Sequence, residues 1–274
     1  MSAAAAATAI FRLHEGTAPL IISVPHAGLA LPEQLVARLT PLALTRVDAD
    51  WHVDQLYQFG HELGASFLIA NHSRYLIDLN RAPDDAALYA DAVQTGLCPN
   101  LSFSGETLYK DGAGPNAAEI AQRRTHYWQP YHDALRQLIE RTRTRCGQVL
   151  LLDAHSIRSE LPRLFAGRLP DINVGTYDGR SCHARVSAAL RATLEAQTLW
   201  RWVIDGRFKG GHITRHYGQP AQGVHAVQIE LAQCAYMDEG QLGLPTPPPF
   251  DAQRSAALRA QLQALLGALL AVHR

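Results

Sequence analysis

The feature that most constrains the fold is a set of short apolar runs, rich in Val, Ile and Leu, that each stop at a polar residue. Five of them, Leu20 to Val24, Ser66 to Ala70, Tyr75 to Leu79, Gln148 to Asp153 and Ala226 to Leu231, have the length and composition of buried strands. Between them lie stretches with the apolar period of helices, at about Pro32 to Arg38, Asp50 to Leu63, Ala117 to Arg145 and Ser181 to Ala196. The last helix, Asp251 to His273, is the clearest, because Leu258, Leu262, Leu265, Leu266 and Leu269 share one stripe. Strands that alternate with helices bury both faces of a sheet, so the expected fold is α/β, a mixed and mostly parallel sheet flanked by helices. The runs around Phe67 and Ile77 are too close for a crossover helix and predict a hairpin, which makes the sheet mixed. The segments Arg81 to Pro115, Gly206 to Gly223 and Gly240 to Phe250 are long for simple connections and read as functional loops, none of them as a linker. A single domain over 1–274 is expected, with 1–9 a frayed tail that lacks the basic start of a signal peptide.

Composition narrows the function. The chain sets 25 Lys+Arg against 25 Asp+Glu, which argues against a nucleic-acid or anionic-membrane partner, since both need excess cations. No apolar run approaches the ~18 residues of a membrane span. Four scattered cysteines, Cys98, Cys146, Cys182 and Cys234, show no C-x-x-C spacing and read as buried, reduced thiols of a cytoplasmic protein. The 13 histidines are the informative residue type, because His titrates near neutrality and is the commonest metal ligand.

In open α/β folds ligands bind outside the carboxyl ends of the strands. At those ends the chain has Pro25-His26-Ala27-Gly28, Asp153-Ala154-His155-Ser156 and Asp78-Leu79-Asn80-Arg81, while Glu230 sits inside an apolar run. Side chains alternate along a strand, so Asp153 and His155 point the same way and the acid can orient the imidazole. A structural ion pair with an arginine is the competing reading for Glu230. A hydrolytic zinc site needs three protein ligands and an open position for water. His26 and His155 fill two places. The third comes from Asp48-Ala-Asp50-Trp-His52-Val-Asp54, where Asp48 is read as a helix N-cap and Asp50 as the ligand, with Asp48 and Asp54 remaining open. His212 and His216 are spaced H-x-x-x-H, but Gly210, Gly211, Ile213 and Thr214 make a helix doubtful, and the pair is read as substrate contacts. Arg207, Lys209 and Arg215 lie among glycines in the same loop, and Asn80-Arg81 at another strand end. Two separate cationic contacts suit a small substrate with two carboxylates.

Taken together, Ser23-Val-Pro-His-Ala-Gly28, Asp48-Ala-Asp-Trp-His52, Ser73-Arg-Tyr-Leu-Ile-Asp-Leu-Asn-Arg81, Asp153-Ala-His-Ser-Ile-Arg158, the segment Gly206 to Gly218 and Gln228-Ile-Glu-Leu-Ala-Gln233 resemble the N-formylglutamate amidohydrolase family in order along nearly the whole chain. The resemblance implies a metal-dependent deformylase of histidine degradation, with a fold related to zinc carboxypeptidases and aspartoacylases. Those enzymes carry a His after the first strand, a later strand-end His, an Asn-Arg pair and a strand glutamate acting as base, and His26, His155, Asn80-Arg81 and Glu230 match that set. One departure is Leu29, which stands where their His-x-x-Glu has its acid. The implied reaction is hydrolysis of N-formyl-L-glutamate. Zn²⁺, or another divalent transition metal, is held by His26, Asp50 and His155, and Glu230 acts as general base. Asn80, Arg81, His212 and Arg215 contact the dianionic substrate. The alternatives are a related zinc amidohydrolase acting on another N-acyl amino acid or a peptide C-terminus, and a non-catalytic protein that binds a small dianion.

Overall fold

The apolar runs assemble one seven-stranded sheet in a computed structural model that describes residues 9–88, 93–246 and 248–272. Its strands are β1 (Phe11–His14), β2 (Leu20–Val24), β3 (Ser66–Ala70), β4 (Val149–Ile157), β5 (Ile172–Gly175), β6 (Trp202–Ile204) and β7 (Val224–Ala232), in the order β1-β3-β2-β4-β7-β5-β6. The centre, β3-β2-β4-β7, is parallel, and so is the β5-β6 pair, whereas β1-β3 and β5-β7 are antiparallel. The helices are α1 (Glu33–Val36), α2 (Pro41–Leu44), α3 (Val53–Leu56), α4 (Ala117–Arg123), α5 (Gln129–Cys146), α6 (Ala184–Glu195), α7 (His212–Tyr217) and α8 (Ala252–Ala271). The mixed α/β sheet flanked by helices is the expected fold class. Residues 1–8, most of the tail expected to fray, and His273 lie outside the described residues.

Period-two alternation sorts the strand side chains into two cores. Leu20, Ile22, Leu150, Leu152, Val227, Ile229 and Leu231 share one core with Val186, Leu190 and Leu194 of α6 and the leucine stripe of α8. Ile21, Val149, Leu151, Val224 and Ala226 share the other with Tyr131, Leu135, Leu138 and Ile139 of α5. On this second face the pattern changes chemistry towards the carboxyl ends. Ile21 is followed by Ser23, Leu151 by Asp153 and His155, and Ala226 by Gln228 and Glu230. Register aligns Ser23 with Asp153, Asp153 with Gln228 and His155 with Glu230, so the polar residues of three adjacent strands form one cluster.

Several local expectations change. Tyr75 to Leu79 forms turns, not a strand, so there is no hairpin, and β1 is the antiparallel partner of β3. Every residue of that run is buried without alternation, because it packs beneath other elements and not on a pleated surface. Asp50 to Leu63 is broken into α3 and the 3₁₀ turn Gln58–His61. Asp48 caps no helix; His52, at φ 61°, begins α3, and Asp48 accepts from the Tyr75 hydroxyl and the Phe103 N–H at 2.8 Å each. His212 to Tyr217 is helical after all, since Gly211 in extended backbone starts the turn. Between α4 and α5 the chain makes a π-turn, Arg124–Trp128. Cys98 and Cys182 are buried free thiols, but Cys146 and Cys234 are half-exposed. Among the described residues no helix is long and apolar enough to cross a membrane.

Candidate active site

Two residues beyond β2, on β4 and just ahead of α3, three side chains converge. His155 Nδ1 is 2.8 Å from Asp50 Oδ2 and 3.2 Å from His26 Nδ1, and His26 Nδ1 is 3.6 Å from the same carboxylate oxygen. The far side of each ring is held by a further acid: His26 Nε2 donates to Asp78 Oδ1 and His155 Nε2 to Asp153 Oδ1, both at 2.8 Å. With the outer nitrogens occupied, each Nδ1 turns inward: a bound cation would meet its lone pair, and without one a proton on His155 Nδ1 bridges to Asp50. Three electron-pair donors therefore face one another within 4 Å, an arrangement that suits a cation between them. All three residues are at most 2% exposed. Among the acids weighed from sequence, Asp50 joins the histidines, whereas Asp48 is tied to Tyr75, Phe103 and Arg158, and Asp54 pairs with Arg12.

The electrostatics follow from burial inside a ring of opposite charges. Burial alone pushes the Asp50 carboxyl up, but hydrogen bonds from His155 and His26 and their charges more than offset it and hold it below the usual carboxylate range. Asp78 is likewise driven well down, against its burial, by His26, Arg74 and Arg81. Burial disfavours the charged His155 ring, yet Asp153 and Asp50 raise its pKa well above that of a free imidazole. Glu230 has no such support. Burial pushes it up to about 8, partly countered by His155. Its carboxylate accepts from Gln228 Nε2 at 3.1 Å and makes no ion pair among the described residues, so the arginine pairing weighed for it is not found.

Of these groups His26, His155 and Glu230 open onto one cleft. Its polar lining includes His26, His155, Arg74, Asn80, Arg81, Arg207, Gln228 and Glu230; Phe103, Ile157, Leu164 and Phe208 form an apolar wall. Asn80 is occupied at both ends of its amide. Oδ1 accepts from the Ile213 N–H at 2.8 Å, and Nδ2 donates to Asp153 Oδ2 at 3.0 Å. Arg81 is steered by Thr95, through its carbonyl at 2.8 Å and its hydroxyl at 3.3 Å. His212 and Arg215 lie outside the described lining. His212 packs among Trp128, His132 and His216. Arg215 lies over the Tyr177 ring and donates to the carbonyls of Gly210 and Leu88. His52 turns away, with Nε2 on the Pro248 carbonyl.

Sequence reasoning missed Arg74 and left Arg207 unassigned. Arg74 donates to Asp78 Oδ2 at 2.7 Å, comes within 3.5 Å of Asp50 Oδ1, and carries the Phe103 ring 4.5 Å from its guanidinium carbon. A signal existed: Arg and Asp four apart in an apolar run are both costly to bury, so each needs a partner. Arg207 enters the cleft because its Nε and Nη2 donate to the carbonyls of Leu164 and Val93. Gly211 permits close approach of α7 to Asn80, as a Cβ there would meet Asn80 Nδ2 at 2.4 Å.

Known proteins resemble the chain along most of its length. Residues 18–237 match the family described as N-formylglutamate amidohydrolase. Two N-formylglutamate deformylases, from Pseudomonas aeruginosa and Pseudomonas putida, are each 47% identical to the chain, covering 96% of it and 96% of the relative. The crystal structure of an N-formylglutamate amidohydrolase from Ralstonia eutropha JMP134 superposes with a TM-score of 0.77 at 24% identity, over 96% of this chain and 97% of that one. A gene product of Agrobacterium tumefaciens superposes at 0.70 with 18% identity, covering 97% of this chain and 96% of that one. At those identities the two structures speak for the fold.

Proposed function

Because the chain belongs to the N-formylglutamate amidohydrolase family, we propose that it hydrolyses N-formyl-L-glutamate to formate and L-glutamate, in the histidine degradation that the resemblance implies. The observation that carries the reading is the inward-facing donor set of His26, Asp50 and His155, backed by Asp78 and Asp153, with His26 and His155 lining the same cleft as Glu230. Those three residues would hold a divalent ion such as Zn²⁺, which when bound supplies a water of lowered pKa and a Lewis acid for a carbonyl.

The protein's own groups do the rest. Glu230 takes a proton from the attacking water as the water oxygen bonds to the formyl carbon. When the C–N bond breaks, Glu230 returns that proton to the departing amine nitrogen. Its burial suits the second half of the task, since a carboxyl raised to about 8 keeps its proton until the amine needs it. A cation held by the neighbouring ligands would favour the ionised form that begins the cycle. Arg81 and Arg207 bind the two substrate carboxylates, with Arg207 in the place that Arg215 held in the reading from sequence. His212 and Arg215 then act at one remove, on the backbone that carries the cleft residues. Asp78 and Asp153 keep the two imidazoles in the ligating tautomer.

Metal analysis of the purified protein, paired with formate release from N-formylglutamate before and after chelation, tests the reading. Stoichiometric metal, loss of activity on its removal and recovery on its return are expected. Full activity after complete removal, or faster turnover of N-acetylaspartate than of N-formylglutamate, would overturn it.

A further inference from the structure

Three consecutive backbone carbonyls beside the cleft are each taken by a donor from a distant part of the chain. His132 Nε2 donates to Leu79 O at 2.8 Å, the His212 N–H to Asn80 O at 3.2 Å, and the Trp128 indole N–H to Arg81 O at 3.0 Å. The segment they grip carries Asn80 and Arg81, both in the cleft lining. Leu79 and Asn80 are buried, so their carbonyls need protein donors, and three such bonds from separate elements hold the segment in one conformation.

The donors are themselves tightly arranged. The π-turn Arg124–Trp128 widens the helix by one residue just where Trp128 leaves it, and π-turns of this kind are frequent at functional sites. Trp128 then stacks on His132, with centroids 3.7 Å apart and planes at 23°. His132 Nδ1 lies 2.9 Å from the Tyr217 hydroxyl, at the end of α7. The ring faces Trp128, Tyr131, His212 and Tyr217, and His216 stacks behind His212. Burial, then the nearby His212, hold the imidazole neutral, so it carries one N–H, and the Leu79 carbonyl fixes that N–H on Nε2.

We propose that Trp128 and His132 are positioning residues for substrate recognition: they clamp the Leu79–Arg81 backbone so that the Arg81 guanidinium is presented to a substrate carboxylate. The clamp rests on the reading that Arg81 contacts that carboxylate. It differs from general packing in acting on binding more than on turnover.

The test uses the metal-loaded full chain, with N-formylglutamate as substrate and glutarate as a competitive dicarboxylate probe. Trp128→Phe keeps a ring against His132 and removes only the indole N–H. It is expected to raise KM and the glutarate inhibition constant together by about three- to tenfold, the worth of one hydrogen bond, with kcat and bound metal little changed. His132→Leu should do the same, and His132→Gln, which can still donate to Leu79 O, should restore most of the loss. Arg81→Lys separates the two layers of the argument. If it leaves KM and glutarate inhibition unchanged, the assignment of Arg81 fails and the clamp with it. If Arg81→Lys weakens both while Trp128→Phe shifts only the melting temperature, the clamp alone is overturned. Should His132→Leu not fold, Trp128→Phe decides.

Discussion

Glu230 is the residue on which turnover should depend most directly. Replacing it with Gln keeps the shape and removes the base, so kcat should fall by about 10²–10⁴-fold while bound metal remains stoichiometric. Steady-state formate release with metal analysis of the same sample checks this, and near-normal turnover would rule out the role. Asp78 acts through His26, accepting from its Nε2 at 2.8 Å. Asp78→Asn should weaken metal affinity by about 10–100-fold in competition against a chelator, because the neutral amide no longer raises the basicity of the ligating ring. His26 and His155 were legible at this scale because each follows an apolar run and sits beside small residues. The setting of Arg215 was not legible, for an equally physical reason. Sequence shows a cation among glycines, but not that its guanidinium lies over Tyr177 and donates to Gly210 and Leu88.

Among the elements, α8 was the most readable and the π-turn the least. The α8 stripe of Leu258, Leu262, Leu265, Leu266 and Leu269 is fully buried in the core it shares with α6. Leu262→Ala should cost about 2–5 kcal/mol in urea unfolding, with the midpoint lowered and activity retained below the transition. Gly211, at the start of α7, tests the opposite extreme. A methyl there meets Asn80 at 2.4 Å, so Gly211→Ala should impair activity more than its small volume suggests, with the loss visible in KM before melting temperature. The π-turn carries no composition signal, since helical periodicity runs through Ala117 to Arg145 and one extra residue per turn leaves the apolar face recognisable. The short strands β1, β5 and β6, of three or four residues, fall below the length at which alternation can be counted.

Across the whole molecule, pH couples to stability through buried histidines as well as through the metal ligands. Burial and the charge of His212 hold His132 down at about 3, against about 6.5 in an unfolded chain. Between those values the unfolded state binds a proton that the folded state refuses, so stability should be lost as pH falls from about 6.5 towards 3 and change little from this source outside that window. His212, held down at about 4 by burial and by His216, adds in the same direction. Melting temperatures of the chelated protein from pH 7 to pH 4 should drop, and His132→Gln should make the fall shallower. An unchanged slope in that variant would show that His132 contributes nothing to it.

By itself the sequence determined the layer architecture, the faces of the central strands, and the strand ends at which polar chemistry gathers. These follow from periodicity and from the cost of burying charge, and both can be read along the chain. Only the tertiary structure decided which of Asp48, Asp50 and Asp54 joins His26 and His155, that Tyr75 to Leu79 is a buried turn and not a strand, and that Arg207 enters the cleft while Arg215 braces a loop. Each of those outcomes depends on where a side chain a few residues away, or a hundred, happens to end in space. An acid becomes a partner of two imidazoles, or of a tyrosine and a backbone N–H, by a difference of a few ångströms that no local pattern encodes.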